Sequence, residues 1–129
     1  MKRNIWMLAF AMLTLLFMAA CADPSSSSNV NPAKVQVELI ATPEPVIAGE
    51  TTALTVRITG LNTFEKARVQ LDIRTADNKG IPDLLDTETT GNGDYSAEYT
   101  FKKTSLYDVY VHLYQGELHI TKKKQLEAT

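Results

Sequence analysis

Cysteine is almost missing from this chain. Of 129 residues only Cys21 carries a thiol, so no intramolecular disulfide can form and the fold must rest on a packed core. Methionine is absent beyond Met18: Met1, Met7, Met12 and Met18 all precede Cys21. A site built from the remaining residues therefore has no soft sulfur donor and depends on imidazole and oxygen. There is no excess of positive charge. The formal net charge is −2, which gives no electrostatic footprint for nucleic acid. A glycine-rich phosphate loop and a nucleophile constellation are also lacking, so no enzymatic activity is expected. Beyond residue 33 no stretch holds helical periodicity for three turns, which leaves strands as the repeating element.

The one long apolar run, Ile5 to Ala20, follows Met1-Lys2-Arg3-Asn4 and is shorter than a spanning helix prefers. A positive start, an apolar middle and small residues before a cut are the parts of a secretory signal. Met18-Ala19-Ala20-Cys21 reads as a lipobox, the cleavage and acylation signal of a bacterial lipoprotein. The expectation is a signal peptide over 1–20 and lipidation (palmitate or a related acyl chain) on Cys21. The rest of the chain would then be extracytoplasmic, held at the cell membrane by lipid. Loss of Lys2 and Arg3 with the signal would move the net charge from −2 to −4. Residues 21–33, with Ala22 to Pro32 rich in serine and broken by proline, read as a flexible tether.

From Lys34 the pattern has period two. Val35, Val37 and Leu39 alternate with Gln36 and Glu38; Leu54, Val56 and Ile58 with Thr55 and Arg57; Val69, Leu71 and Ile73 with Gln70 and Asp72. Turn residues interrupt these runs at Pro43-Glu44-Pro45, Gly60-Leu61-Asn62, Asp77-Asn78-Lys79-Gly80 and Gly91-Asn92-Gly93-Asp94. Seven strands are predicted, near 34–41, 52–59, 67–75, 84–90, 94–101, 107–114 and 117–125. Together they point to an all-β, immunoglobulin-like sandwich over 34–129, with a small barrel as the alternative.

The last two strands hold the only histidines. With Gln115-Gly116 as a two-residue turn, Tyr114 pairs with Glu117, Leu113 with Leu118 and His112 with His119. Directly opposed residues have Cβ atoms about 5 Å apart, within reach of one ion. His112 and His119 are thus the candidate metal ligands. Tyr110, Tyr114 and Glu117 are accessory groups on the same outer face, and Val109, Val111, Leu113, Leu118 and Ile120 point inward. Two imidazoles alone do not complete a zinc site, and an outer sheet face of polar and aromatic residues also suits protein contacts. Lys102-Lys103 and Lys122-Lys123-Lys124 read either as edge-strand protection or as an approach to anionic surfaces.

Three segments resemble the YtkA-like (FixH-like) family of small extracytoplasmic β-sandwich domains. They are Pro43 through Glu50 leading into a strand, Gly93-Asp94-Tyr95 leading to Phe101, and Tyr107 through His112 followed by His119 and Lys122-Lys123-Lys124. The resemblance covers roughly Val35 to the C-terminus. It implies copper handling, with His112 and His119 as ligands and a copper ion as cofactor. Where members often carry methionine after the second histidine this chain has Ile120-Thr121, and where they often carry histidine and methionine before the G-x-Y segment it has Leu84 to Thr90. The other functional expectation is an envelope protein-interaction or structural module without metal.

Overall fold

The computed structural model describes residues 30–129. The segment read as signal peptide, Cys21 and the tether as far as Asn29 lie outside the described residues. Eight strands follow a single 3-10 turn at Pro32–Lys34: β1 Gln36–Thr42, β2 Thr51–Thr59, β3 Arg68–Thr75, β4 Asp83–Asp86, β5 Glu88–Gly91, β6 Asp94–Thr100, β7 Ser105–Gln115 and β8 Leu118–Ala128. All strand pairs are antiparallel and form two four-stranded sheets, β1-β2-β6-β5 and β4-β3-β7-β8. No described helix is long and apolar enough to cross a membrane.

This is the strand order of an immunoglobulin-type sandwich, with β3, β7 and β8 in the places of strands C, F and G. Two further details fit that pattern. Val46, just past β1, bridges in parallel to Ala128 of β8. Tyr107, near the start of β7, donates its hydroxyl to the Lys103 carbonyl at 2.9 Å and accepts from the Lys103 amide at 3.3 Å, which is a tyrosine corner.

The alternation seen in the sequence sets the core. Val37, Leu54, Val56, Ile58, Val69, Leu71, Ile73, Val109, Val111 and Leu113 fill the space between the sheets, each 8% exposed or less. Burial of each such side chain contributes about 1.5–3 kcal/mol. Phe101 is fully buried between Tyr99 and Tyr107, with ring centroids 4.8 Å away on either side.

Two boundaries differ from expectation. The predicted strand 84–90 is two strands, because the chain changes sheet at Thr87. There the Thr87 hydroxyl and amide both donate to the Val69 carbonyl, at 2.8 and 3.3 Å, leaving β4 on one sheet and β5 on the other. The second concerns residues 30–33, read as part of the tether: Val30 packs against the core, and Asn31 caps the 3-10 turn through the Ala33 amide at 3.0 Å, so these residues join the packed domain.

Gly93 shows how closely the turns fit. It holds φ +85°, and a Cβ there would lie 2.6 Å from both the Ile58 carbonyl oxygen and the Phe64 ring. Gly80 also has a positive φ but opens onto free space. Replacement of Gly80 by alanine is therefore expected to cost about 1 kcal/mol of backbone strain alone, and Gly93→Ala more than about 2 kcal/mol. Urea unfolding of the two variants in parallel checks the order.

Candidate functional site

The β7–β8 hairpin places the histidines. Its register is Gln115 with Leu118, Tyr114 with His119, Leu113 with Ile120 and His112 with Thr121. The turn is Gly116-Glu117, not Gln115-Gly116, so the expected His112–His119 cross-strand pairing is replaced by a diagonal one. The cause is twofold. Gly116 takes φ +57° at the first turn position, the place glycine fills in a type II′ turn. Gln115 meanwhile belongs to the strand and is buried, its amide nitrogen donating to the carbonyls of Thr63 and Glu65 at 2.9 Å each. The register differs by two residues, an even number, so every side chain stays on its expected face. Val109, Val111, Leu113 and Ile120 are buried, and Leu118 is half-buried against the core.

The imidazoles still meet. Nδ1 of His112 lies 3.3 Å from Nε2 of His119, and the Thr121 hydroxyl lies 3.0 Å from the first and 3.4 Å from the second. Tyr114 stacks on His119, with centroids 4.3 Å apart and planes 17° apart, and Arg68 lies over the same tyrosine at 5.6 Å. Tyr110 neighbours this group along β7, with Arg74 at 5.1 Å and Lys123 at 5.8 Å from its ring. Glu117 is exposed in the turn and takes no part in the cluster.

Two nitrogen donors about 2.0–2.1 Å from one tetrahedral ion are about 3.3 Å apart. The His112–His119 separation matches that distance. The triangle completed by the Thr121 hydroxyl, with edges of 3.0, 3.3 and 3.4 Å, has the size of one face of such a tetrahedron. A neutral hydroxyl is a weak donor, and among the described residues no group of three His, Cys, Asp or Glu side chains gathers. The residues thus fit two strong ligand positions and leave the others to solvent or to another molecule. Without an ion the two nitrogens can share one proton, one donating and the other accepting, but a second proton sets two charges face to face.

The surrounding charges are tied down. Asp108 accepts from Gln125 at 2.9 Å and pairs with Lys123 at 2.7 Å. Asp72 is held by the Arg74 guanidinium. These carboxylates are nearly covered although they lie on the outer face, and each is held by a neighbouring cation, Arg74 or Lys123. The hydrogen bond from Arg74 holds Asp72 below the ordinary carboxylate range, and that from Lys123 does the same for Asp108. Burial, reinforced by the neighbouring His119, pushes His112 below its usual value of 6.5, with Asp72 opposing and Arg74 assisting.

The outer-face placement of Tyr110, His112, Tyr114, His119 and Thr121 was legible from period two alone. Gln115 was read only as a turn residue, although it continues the inward alternation of Val109, Val111 and Leu113, and Asp108 was not singled out, because a polar residue at an outward position leaves the alternation intact. No known family model matches the sequence, and no curated protein matches it.

The depressed His112 pKa has a sign that can be checked. The unfolded chain takes up the His112 proton near pH 6.5, before the folded one does, so acidification favours unfolding. Stability is expected to be flat well above the ordinary histidine value of 6.5 and to fall as the pH drops through and below it. Asp72 and Asp108, lowered from 3.8, lose their contributions only at lower pH. Denaturant unfolding at stepped pH should show the upper descent in the native chain and its loss in His112→Gln.

Proposed function

We propose that this chain is a membrane-anchored, extracytoplasmic binding domain whose His112–His119 pair takes up a transition-metal ion, copper foremost. The observation that carries the metal reading is the 3.3 Å separation of Nδ1 and Nε2, which suits one ion. The resemblance of Tyr107 through His119 to the YtkA-like segment directs the choice to copper. A bound copper or zinc ion supplies a Lewis-acidic centre for further ligands. The chain itself holds two imidazoles at fixed separation, braces one by stacking on Tyr114, and offers Thr121 as a weak neighbour. With no thioether or thiol past Cys21, the donor set suits Cu(II) or zinc better than Cu(I). The open positions fit a domain that passes or shares its ion rather than storing it.

Titration with Cu(II) at neutral pH is expected to show one equivalent bound. His112→Ala and His119→Ala should each weaken binding by about tenfold or more, or about 1.4 kcal/mol. Acidification below about pH 6 should weaken it in the native chain, because protons compete for the same nitrogens. Equal binding by all three proteins would exclude the pair as the site.

The anchor is a separate part of the reading and rests on Met18-Ala19-Ala20-Cys21. Cells fed a palmitate analogue are expected to label the native chain and not Cys21→Ser, and the label should fractionate with membranes.

A second reading, an envelope interaction module without metal, is favoured by the absence of a third strong ligand among the described residues. Tyr110 and Tyr114, ringed by Arg68, Arg74 and Lys123, then form the contact face. The Cu(II) titration separates the two readings.

A further inference from the structure

The lysine run at 122–124 is accounted for by the fold. β8 is an edge strand, Lys123 pairs with Asp108, and Lys122 and Lys124 follow the inward-facing Ile120 on its alternation, so they blunt the edge. Lys102 lies 3.9 Å from the Asp83 carboxylate in an exposed, loose pair, and Lys103 is exposed. They lie in the β6–β7 loop, at the end of the sandwich opposite the histidine hairpin. The β3–β4 loop beside them carries Lys79 and Ile81.

Ile81 is 93% exposed, the most exposed large apolar side chain described, and Leu84 is 65% exposed beyond it. A loose loop would explain this cheaply, but the loop is built. The Thr75 hydroxyl donates to Asp77 at 2.6 Å, the Lys79 amide donates to Asp77 at 3.0 Å, and the Asn78 amide donates to the Thr75 carbonyl at 2.9 Å. Leu106, 43% exposed at the start of β7, is fastened to the same corner by the Ala76 amide at 2.9 Å. Of the carboxylates here, Asp77 is engaged within the turn, Asp83 by the Tyr99 hydroxyl at 2.6 Å and loosely by Lys102 at 3.9 Å, and Asp72 by Arg74, while Glu127, opposite Leu106, is exposed. Lys79, Lys102 and Lys103 are left exposed around an ordered apolar tip.

We infer that this corner docks onto an anionic phospholipid surface, with Ile81 entering the headgroup–acyl boundary and Lys79, Lys102 and Lys103 contacting phosphates. An apolar tip flanked by lysines matches that boundary, where apolar burial and attraction of lysines to anionic lipid add. A dissolved polyanion uses the lysines but gives no reason for Ile81. Glu44 and Glu50 lie toward the β1 side of the same end, so the approach tilts the β3–β4 side downward. The docking depends neither on the histidines nor on lipidation of Cys21.

The test uses the full chain in vesicles, with Trp6→Phe removing the native tryptophan and Ile81→Trp placing a reporter at the tip. In vesicles of equal parts phosphatidylglycerol and phosphatidylcholine, brominated acyl chains should quench the reporter. Pure phosphatidylcholine should give no quenching. Quenching should vanish with Lys79→Glu, Lys102→Glu and Lys103→Glu combined, and high salt should suppress it with the lysines intact. A reporter at the other end, Glu117→Trp, should stay unquenched. Equal quenching in both lipids, quenching at position 117 instead of 81, or a response to soluble polyphosphate but not to anionic vesicles would each overturn the proposal.

Discussion

Gln115 buries its amide where β7 ends, and both of its N–H groups are spent on the carbonyls of Thr63 and Glu65. That clamp joins the hairpin end to the β2–β3 loop and leaves Gly116, which has no Cβ to hinder φ +57°, to begin the turn. Every later pairing in β8 counts from that point. Had Gln115 entered the turn, its amide would have left two carbonyls without donors, a cost of about 1–3 kcal/mol each if they stayed dry. The histidines therefore owe their geometry to a residue that touches neither of them.

The same hairpin works as a two-sided device. Its inner face carries Val109, Val111 and Leu113, none of which reaches water, so β7 cannot slide without exposing them. Its outer face gathers charges that would repel or lose hydration if left alone. Asp72 and Asp108 are each met by a cation and nearly buried, and His112 lies among them with its charge disfavoured by burial. An imidazole kept neutral is the form that donates a lone pair to a metal. The electrostatics of the face and the spacing of the nitrogens thus favour the same chemistry.

How far this was legible in the sequence follows from the physics of each element. Alternation revealed the long strands because each buries one face, and it placed His112 and His119 on the outside of the same sheet. It did not reveal that Leu84 to Thr90 changes sheet, since a crossover at Thr87 leaves period two nearly intact on either side. The hairpin register differs by two residues from that of a Gln115-Gly116 turn, because a glutamine with both N–H groups satisfied can be buried at the end of a strand. The difference was harmless to the site because two is the period of the strand. The diagonal His112–His119 contact that resulted is as short as the directly opposed pair would have been meant to give.

The two ends of the sandwich differ in kind. The hairpin end holds Val30, the Gln115 clamp and the imidazoles; the other holds Ile81 and the lysines of the β3–β4 and β6–β7 loops. Seven steps of β3 separate Arg68, beside Tyr114, from Thr75, beside Tyr107, a span of roughly 23 Å. A lipid surface met by the lysine end would hold the imidazole pair beyond the reach of the headgroups and facing outward. If the pair takes a metal as proposed, its incomplete ligand set would be useful in that position, because the missing donors would come from something that approaches from solution. Under the proposed metal role the rigidity of the frame would favour such an exchange: a partner would bring flexible ligands, while the two nitrogens stay at a separation set by a packed core.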